Sequence, residues 1–149
     1  MKKQNIIAMF SLFTLVLFAA AFAGTNENTD WDAFSDNLVK GLKSDNEGVR
    51  LSAMQQVITY ADKVNVDDAV FDIVEVYRSH NDIKVRQLAL TTLHKTNNAW
   101  AMDFLKRNLE FEKSPVLKAQ IYHILNDAEP GSVYAKKAEK KENVELATK

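Results

Sequence analysis

Apolar residues recur every three or four positions over residues 30–128, which is the spacing of one face of an α-helix. Trp31, Phe34, Leu38 and Leu42 form the first such set, and five further sets follow it along the chain. The sequence holds only four Gly and two Pro, too few for the many turns of an all-β sandwich or barrel. The pattern therefore predicts six amphipathic helices and an all-α fold.

Short polar groups precede the apolar sets and indicate where the helices begin. These groups are Ser44-Asp45-Asn46, Asn65, Asn81-Asp82, Asn97-Asn98 and Ser114-Pro115. Ser, Asp and Asn accept hydrogen bonds from the unpaired amides of a helix N-terminus, and Pro is favoured at the first helical position. The pattern stops after Pro130-Gly131, and the remaining residues are rich in Lys and Glu. We expect residues 129–149 to form a polar, disordered tail.

Alternate helices are related by an internal repeat. Three segments align when Val49, Val85 and Val116 are taken as position zero, so that the copies stand 36 and 31 residues apart. Positions five and eight are apolar in every copy: Met54, Leu90 and Ile121, and Val57, Leu93 and Ile124. One unit of two helices per roughly 30–40 residues is the spacing of an α-solenoid, in which helical hairpins stack on one another.

The strings DNEGVRLSA and NDIKVRQLA resemble the start of the second helix in HEAT repeats, especially the short bacterial HEAT-like type. Over residues 30–128 the resemblance implies a short right-handed α-solenoid of about three HEAT-like helical hairpins. It also implies a ladder of residues that hold the hairpins together: Asn46, Val49, Arg50, Asp82, Val85, Arg86 and Val116. The third copy has Leu117 in place of Arg and Gln120 in place of Ala, and we interpret it as a terminal cap. Tetratricopeptide repeats fit less well, because their Trp, Gly, Tyr and Pro positions do not line up with this chain.

Repeat positions two, six and ten point away from the apolar columns. They form a polar stripe on the second helices, which line the concave side of a solenoid: Leu51, Gln55, Thr59, Gln87, Thr91, Lys95, Lys118, Tyr122 and Asn126. We predict that this stripe binds a protein or peptide partner, with Tyr122 as its only aromatic anchor. An inert solvated face explains the same residues equally well.

The sequence predicts no catalytic site, no metal site and no cofactor. His80, His94 and His123 do not have the short helical spacing that metal ligands on one helix share. Trp31 and Trp100 lie on the apolar faces of first helices, where packing explains them better than ligand stacking. The chain has no Cys nucleophile, no G-x-S-x-G and no Gly-rich phosphate loop.

The first 23 residues have the order of a secretory signal peptide. Lys2 and Lys3 precede an apolar run, and Ala21-Phe22-Ala23 gives an A-x-A cleavage site before Gly24. An uncleaved membrane anchor is the alternative, because residues 6–23 reach the lower limit of a spanning helix. We expect a signal peptide over 1–23, a flexible lead-in over 24–29, and a periplasmic or secreted protein with no stable membrane span after cleavage. The absence of Cys suits a bacterial envelope.

The charge balance narrows the class of partner. Without the two lysines of the leader, the 19 basic residues fall to 17 against 20 acidic ones, a net charge of −3. Because no basic excess remains, nucleic acid is not an expected partner. We predict a non-enzymatic adaptor or regulator that binds a protein or peptide in the bacterial envelope. Two alternatives stay open: an accessory factor or lyase-like enzyme of HEAT-like type, and a self-associating structural protein. The sequence leaves the oligomeric state open.

Overall fold

The computed structural model describes residues 29–131, and within that range it contains six α-helices and no strand. The helices are α1 Trp31–Leu42, α2 Glu47–Thr59, α3 Val70–Ser79, α4 Ile83–Thr96, α5 Ala99–Asn108 and α6 Pro115–Ala128. Short 3-10 turns precede α3 at Asp67–Ala69 and follow α5 at Leu109–Phe111. The predicted all-α fold is confirmed. The predicted signal peptide, most of the lead-in and most of the tail lie outside the described residues.

Side-chain caps begin five of these six helices. Asp30, Asn46, Asp82, Asn98 and Ser114 each accept a hydrogen bond from a first-turn amide, at distances from 2.7 to 3.4 Å. Each bond satisfies an amide that the helix itself leaves unpaired. The exception is α3, which has no side-chain cap. Asn65, which we expected to cap this helix, instead accepts from the Asp67 amide at 2.9 Å and shapes the 3-10 turn before it.

The helices pack as three consecutive pairs, α1 with α2, α3 with α4, and α5 with α6. The second helices of the pairs also contact one another in chain order, α2 against α4 and α4 against α6. The apolar columns at repeat positions five and eight form the core between them, and all six side chains are buried. Burying one such side chain contributes about 1.5–3 kcal/mol, so these columns account for much of the packing.

Repeat position zero does not belong to the core. Val49 and Val116 are 46% and 51% exposed, and Val85 is half-buried. Val49 and Val116 therefore lie at the edge of the core, and the ladder role that the resemblance implies for these valines stays a prediction. The reason for their position is helical geometry: positions one, four, five and eight cluster on one face, whose centre lies roughly 90° around the helix from position zero.

Gln120 occupies repeat position four, where the first two copies have Ala53 and Ala89. Its amide nitrogen donates to the Gln87 carbonyl at 2.9 Å and to the Thr91 hydroxyl at 3.0 Å, so it joins α6 to α4. Its amide oxygen is buried and has no hydrogen-bond partner among residues 29–131. The contact between α4 and α6 is less extensive than that between α2 and α4.

Among residues 29–131, no helix is both long enough and apolar enough to cross a lipid bilayer.

Candidate functional site

The predicted polar stripe is only partly open to solvent. Its exposed members are Gln55, Thr59 and Lys95. Its half-buried members are Leu51, Gln87, Thr91, Lys118 and Asn126. Thr91 is held by Gln120, and the Lys118 ammonium donates to the Glu110 carbonyl at 3.2 Å. The stripe is therefore less available to a partner than its spacing in the sequence suggested.

Tyr122 is buried, with 8% of its surface exposed, so the expectation that it is an exposed aromatic anchor on the stripe is wrong. The periodicity of the earlier copies places position six outside the core, but α6 buries five residues where α2 buries three. This wider buried face follows from its neighbours, because α6 packs against α4, α5 and the 3-10 turn that follows α5.

The two repeat arginines contact different parts of the fold. Arg50 donates from Nη1 to the Ser44 carbonyl at 2.6 Å, which closes its own hairpin. Arg86 donates from Nε to the Tyr77 carbonyl at 2.7 Å and from Nη2 to Oε2 of Glu112 at 2.9 Å. Since Glu112 lies in the turn between α5 and α6, Arg86 joins the second hairpin to the third. Of the two arginines, only Arg86 donates a hydrogen bond to the following helix pair within the described residues, while Asn46 and Asp82 cap their own helices. The ladder that the resemblance implies stays a prediction.

Glu112 is the centre of a polar network. Its Oε2 accepts hydrogen bonds from the Tyr77 hydroxyl at 2.8 Å and from Arg86, and its Oε1 accepts from the Ser114 amide at 2.8 Å. The Glu112 side chain is only 6% exposed, so these bonds replace the water that the carboxylate loses on burial. Hydrogen bonds to a charged acceptor are the stronger kind, and this network ties α3, α4 and the α5–α6 turn together.

The network fixes two protonation states. Burial by itself would raise the pKa of Glu112, but the hydrogen bonds from Ser114 and Tyr77 and the charge of Arg86 outweigh it and lower that pKa. Burial, and then the hydrogen bond to the Glu112 carboxylate, raise the pKa of Tyr77 well above its ordinary value. At neutral pH Glu112 is ionised and Tyr77 is protonated. Neither group is poised to exchange a proton there, so the network suits anchoring better than acid–base chemistry.

A groove of about 300 Å³ lies beside this network, where the second and third helix pairs meet. We call it the second groove, because a corresponding first groove lies one helix pair earlier. Its cationic side chains are Arg78, Arg86 and Lys113, from α3, α4 and the α5–α6 turn. Its aromatic side chains are Tyr77, Phe104 and Phe111, and Glu112 and Asn108 complete the lining. Phe111 is 79% exposed. The groove combines an aromatic wall with basic side chains from three separate elements.

A row of aromatic rings leads into the second groove, and it is exposed at Phe71 and Trp100 and half-buried at Phe104. The exposed ring of Phe111 lies with Phe104 in the groove lining. The ring centroids of Phe71 and Trp100 are 4.4 Å apart, and Trp100 stacks on Phe104 at 5.6 Å. We call Phe71, Trp100, Phe104 and Phe111 the aromatic strip. Phe71 is 65% exposed and Trp100 39% exposed, so the expectation that Trp100 is used for interior packing holds only in part.

Sequence reasoning missed both Phe71 and Glu112. Phe71 carried a usable signal, because it falls one position off the apolar face that Val70, Ile73 and Val74 define, where an aromatic residue is not needed for the core. Glu112 carried none. Its partners Tyr77 and Arg86 are 35 and 26 residues away in the sequence, and only the packing of the hairpins brings them together.

A corresponding cavity of about 250 Å³ lies one hairpin earlier, and we call it the first groove. It is lined by Arg50 and by the charged or titratable side chains of Lys43, Asp45, Asp72, Glu75 and His80. No Phe, Tyr or Trp of the described part of the chain lines it. The first groove therefore lacks the aromatic wall and holds three carboxylates against two permanent cations.

Two of the three histidines each lie near a single carboxylate. His80 Nε2 lies 3.3 Å from Glu47, and His94 Nε2 lies 3.7 Å from Asp127. Over residues 29–131 no group of three or more His, Cys, Asp or Glu side chains is arranged to hold a metal ion.

No known protein family, curated protein or solved structure matches this chain.

Proposed function

We propose that this chain is a non-enzymatic binding module of the bacterial envelope that holds a protein partner on a short right-handed α-solenoid of three HEAT-like hairpins. The three consecutive helix pairs and the row formed by α2, α4 and α6 support that architecture. The buried columns at repeat positions five and eight support the repeat register. A stack of this kind gives a rigid platform on which surface side chains keep fixed spacings.

The observation that carries the proposal is the exposed aromatic strip. Monomeric soluble proteins rarely leave contiguous large apolar side chains in water, and such patches mark interaction sites. Phe and Trp are enriched at the centres of protein interfaces because each buries a large area at a small entropic cost. Phe71 and Phe111, the most exposed of the large hydrophobic residues described, both belong to the strip.

The envelope location rests on the leader-like residues 1–23. It is tested by expressing the full chain with a C-terminal tag, fractionating the cells, and measuring the mass of the tagged product. We expect the product in the periplasmic fraction or the medium, with an N-terminus at Gly24. A cytoplasmic product that keeps residues 1–23 would remove the envelope from the proposal.

Site-specific photocrosslinking in the native host tests the binding module itself. A photoreactive phenylalanine analogue replaces Phe71 or Phe111 on the strip, and Gln55 or Lys95 on the polar stripe. All four side chains are exposed, so the replacements leave the core intact. We expect the two strip positions to crosslink to the same protein, identified by mass spectrometry, and the two stripe positions to give no adduct.

The outcomes separate the two surfaces. Adducts from the stripe alone would keep a binding module but assign it to the concave face. The absence of a reproducible adduct at all four positions would overturn the proposal.

A second candidate is self-association, because the same aromatic strip would suit a second copy of this chain. Light scattering after size-exclusion chromatography measures the mass directly, and a monomer excludes it. If a dimer forms, the variant Phe71→Ser should shift it towards monomer, since the change removes an exposed ring.

A further inference from the structure

The charge of the second groove is not balanced by its own residues. Three cationic side chains line it, and its one carboxylate, Glu112, is already engaged by Tyr77, Arg86 and the Ser114 amide. Arg78 and Lys113 make no ion pair with any residue in 29–131. Arg86 uses Nε and Nη2 in the network, and its Nη1 donates to none of the described residues. The groove therefore presents unsatisfied positive charge.

The first groove shows that this excess is a local property and not a general one. The repeat register that aligns Val85 with Val116 places His80, Asn81 and Asp82 at the positions of Phe111, Glu112 and Lys113. From one copy to the next the turn thus replaces His80 with Phe111, Asn81 with Glu112 and Asp82 with Lys113, so it gains a phenylalanine and its net charge rises by one. Because the whole chain has a net charge of −1, a cationic groove stands out against its surroundings.

The aromatic wall adds a second requirement for the occupant. Phe104 and Phe111 offer apolar surface next to the cations, so the ligand has to present a carboxylate and an apolar side chain close together. The volume of about 300 Å³ is at the lower end of the range for ligand pockets, and the exposed strip continues beyond it. An extended peptide satisfies both features, because neighbouring side chains can occupy the groove and the strip in turn.

On this basis we infer that the second groove binds an acidic peptide segment of the partner, with its carboxylate at Arg78, Arg86 and Lys113 and its neighbouring apolar side chain on Phe104 and Phe111. This inference rests on the proposed function and names the chemistry that its partner has to carry. The chain's own residues 132–149 are a poor fit, since they hold five Lys and three Glu. An anionic membrane is a poor fit too, because basic clusters that dock on anionic lipid hold roughly four to eight Lys or Arg, whereas the groove has three.

The test is fluorescence anisotropy on the full chain with two labelled peptides of about ten residues. One carries a central Glu-Glu-Phe-Leu run, and its counterpart carries Gln-Gln-Phe-Leu. We expect the acidic peptide to bind at least about tenfold more tightly, and its affinity to fall as the salt concentration rises, because the attraction is screened.

Three variants locate the binding. The double variant Arg78→Gln/Lys113→Gln should weaken the acidic peptide about tenfold, and Phe111→Ala should weaken both peptides about fivefold. These side chains are exposed and none makes a hydrogen bond to the described residues, so the variants should fold. Lys43→Gln, which removes a cation from the first groove, is the matched control and should change the affinity less than about twofold.

Equal binding of the two peptides, or an unchanged affinity in the double variant, would overturn the inference. Displacement of the acidic peptide by a synthetic peptide of residues 132–149 would assign the groove to the chain's own tail, and displacement by phosphatidylglycerol vesicles would assign it to lipid; either result also overturns it. The protein captured by photocrosslinking shows whether only this inference fails or the proposed function fails as well. If Arg78→Gln/Lys113→Gln captures that partner as well as the unmodified chain does, the inference fails while the binding module stands.

Discussion

The first and second grooves occupy equivalent places in the repeat, yet they are built differently. Both have an arginine at repeat position one, but Arg50 bonds to the Ser44 carbonyl of its own hairpin, whereas Arg86 reaches Glu112 in the next hairpin. One groove is polar and mixed in charge, and the other is cationic with an aromatic wall. The comparison teaches that a repeat position fixes where a side chain lies but not what it binds.

The difference arises in the turns as well as in the helices. Arg78 of α3 and Phe104 of α5 line the second groove. Asp72 and Glu75 of α3 line the first. The third hairpin supplies Phe111, Glu112 and Lys113 where the second supplies His80, Asn81 and Asp82. Asn81 lacks the carboxylate with which Glu112 binds Arg86, and Arg50 donates to the Ser44 carbonyl of its own hairpin. Short loops are where repeats can diverge at little cost to the core.

The largest expected effect on stability comes from placing an arginine at repeat position one of the third copy, as in the first two. Leu117 stands at the arginine position and is fully buried. Leu117→Arg would place a charge without a partner in the core, and we expect it to lower the free energy of unfolding by at least about 4 kcal/mol. Urea denaturation followed by circular dichroism measures it, with Leu117→Met as a control that should cost less than about 1.5 kcal/mol. A Leu117→Arg variant as stable as the control would show that the third copy tolerates the repeat arginine.

The comparison of the two arginines is tested by truncating each in turn. Arg86→Ala leaves the buried Glu112 carboxylate without its charged partner, and we expect a loss of roughly 2–3 kcal/mol, given that the Arg86 side chain is itself 23% exposed. Arg50→Ala removes one hydrogen bond to a carbonyl, and we expect a loss of about 1 kcal/mol. Equilibrium denaturation of both variants under the same conditions gives the difference. Equal losses would contradict the distinct roles.

The dependence of the free energy of unfolding on pH tests the role of the Glu112 carboxylate in the second groove. The pKa of Glu112 is lower in the folded chain than its unfolded value of about 4.3. Its contribution is therefore complete above that unfolded value and is lost as the pH falls through it towards the folded pKa. Between pH 5.5 and pH 3 the free energy of unfolding should fall more steeply in the unmodified chain than in Glu112→Gln. Parallel curves for the two proteins would show that Glu112 is not the group responsible.

We expect a smaller loss of the free energy of unfolding when the network keeps its charges but lacks the Tyr77 hydroxyl. Tyr77→Phe preserves the ring contact with Phe104 and removes one hydrogen bond to the carboxylate, so the free energy of unfolding should fall by about 1 kcal/mol. Denaturation of this variant in the Glu112→Gln background should give a smaller loss, because the acceptor has changed. Strict additivity of the two changes would argue against a coupled network.

The smallest effect is expected on the aromatic strip. Phe111→Ala should change the free energy of unfolding by less than about 0.5 kcal/mol, because the ring is mostly in solvent. Thermal and urea denaturation check this, with the stripe variant Gln55→Ala as a control for an exposed polar residue. A clearly destabilised Phe111→Ala would mean that the ring supports the fold and is not kept for a partner.

Local features of this fold could be predicted from its sequence. The caps Asn46, Asp82, Asn98 and Ser114 act on amides two or three residues away, and helical periodicity reports which side chains share a face. The repeat register then found the buried columns at positions five and eight without any knowledge of the packing.

The site could not be predicted in the same way. The Tyr77–Glu112 bond joins residues 35 positions apart, and no spacing in the sequence encodes it. The pattern of the first two copies places Tyr122 on an open face, but α6 has a different set of neighbours and buries a different arc. Periodicity describes a helix by itself, whereas a binding groove depends on how three elements meet.

Gln120 gives the contact between α4 and α6 a polar lock. Its amide nitrogen donates to the Gln87 carbonyl and to the Thr91 hydroxyl, both on α4. Hydrogen bonds depend on direction as well as on distance, so these two bonds fix the register of α6 along α4. The buried amide oxygen, which has no partner among residues 29–131, is the cost of that register. A molecule lying across α4 and α6 would therefore meet two helices whose relative register a single side chain holds.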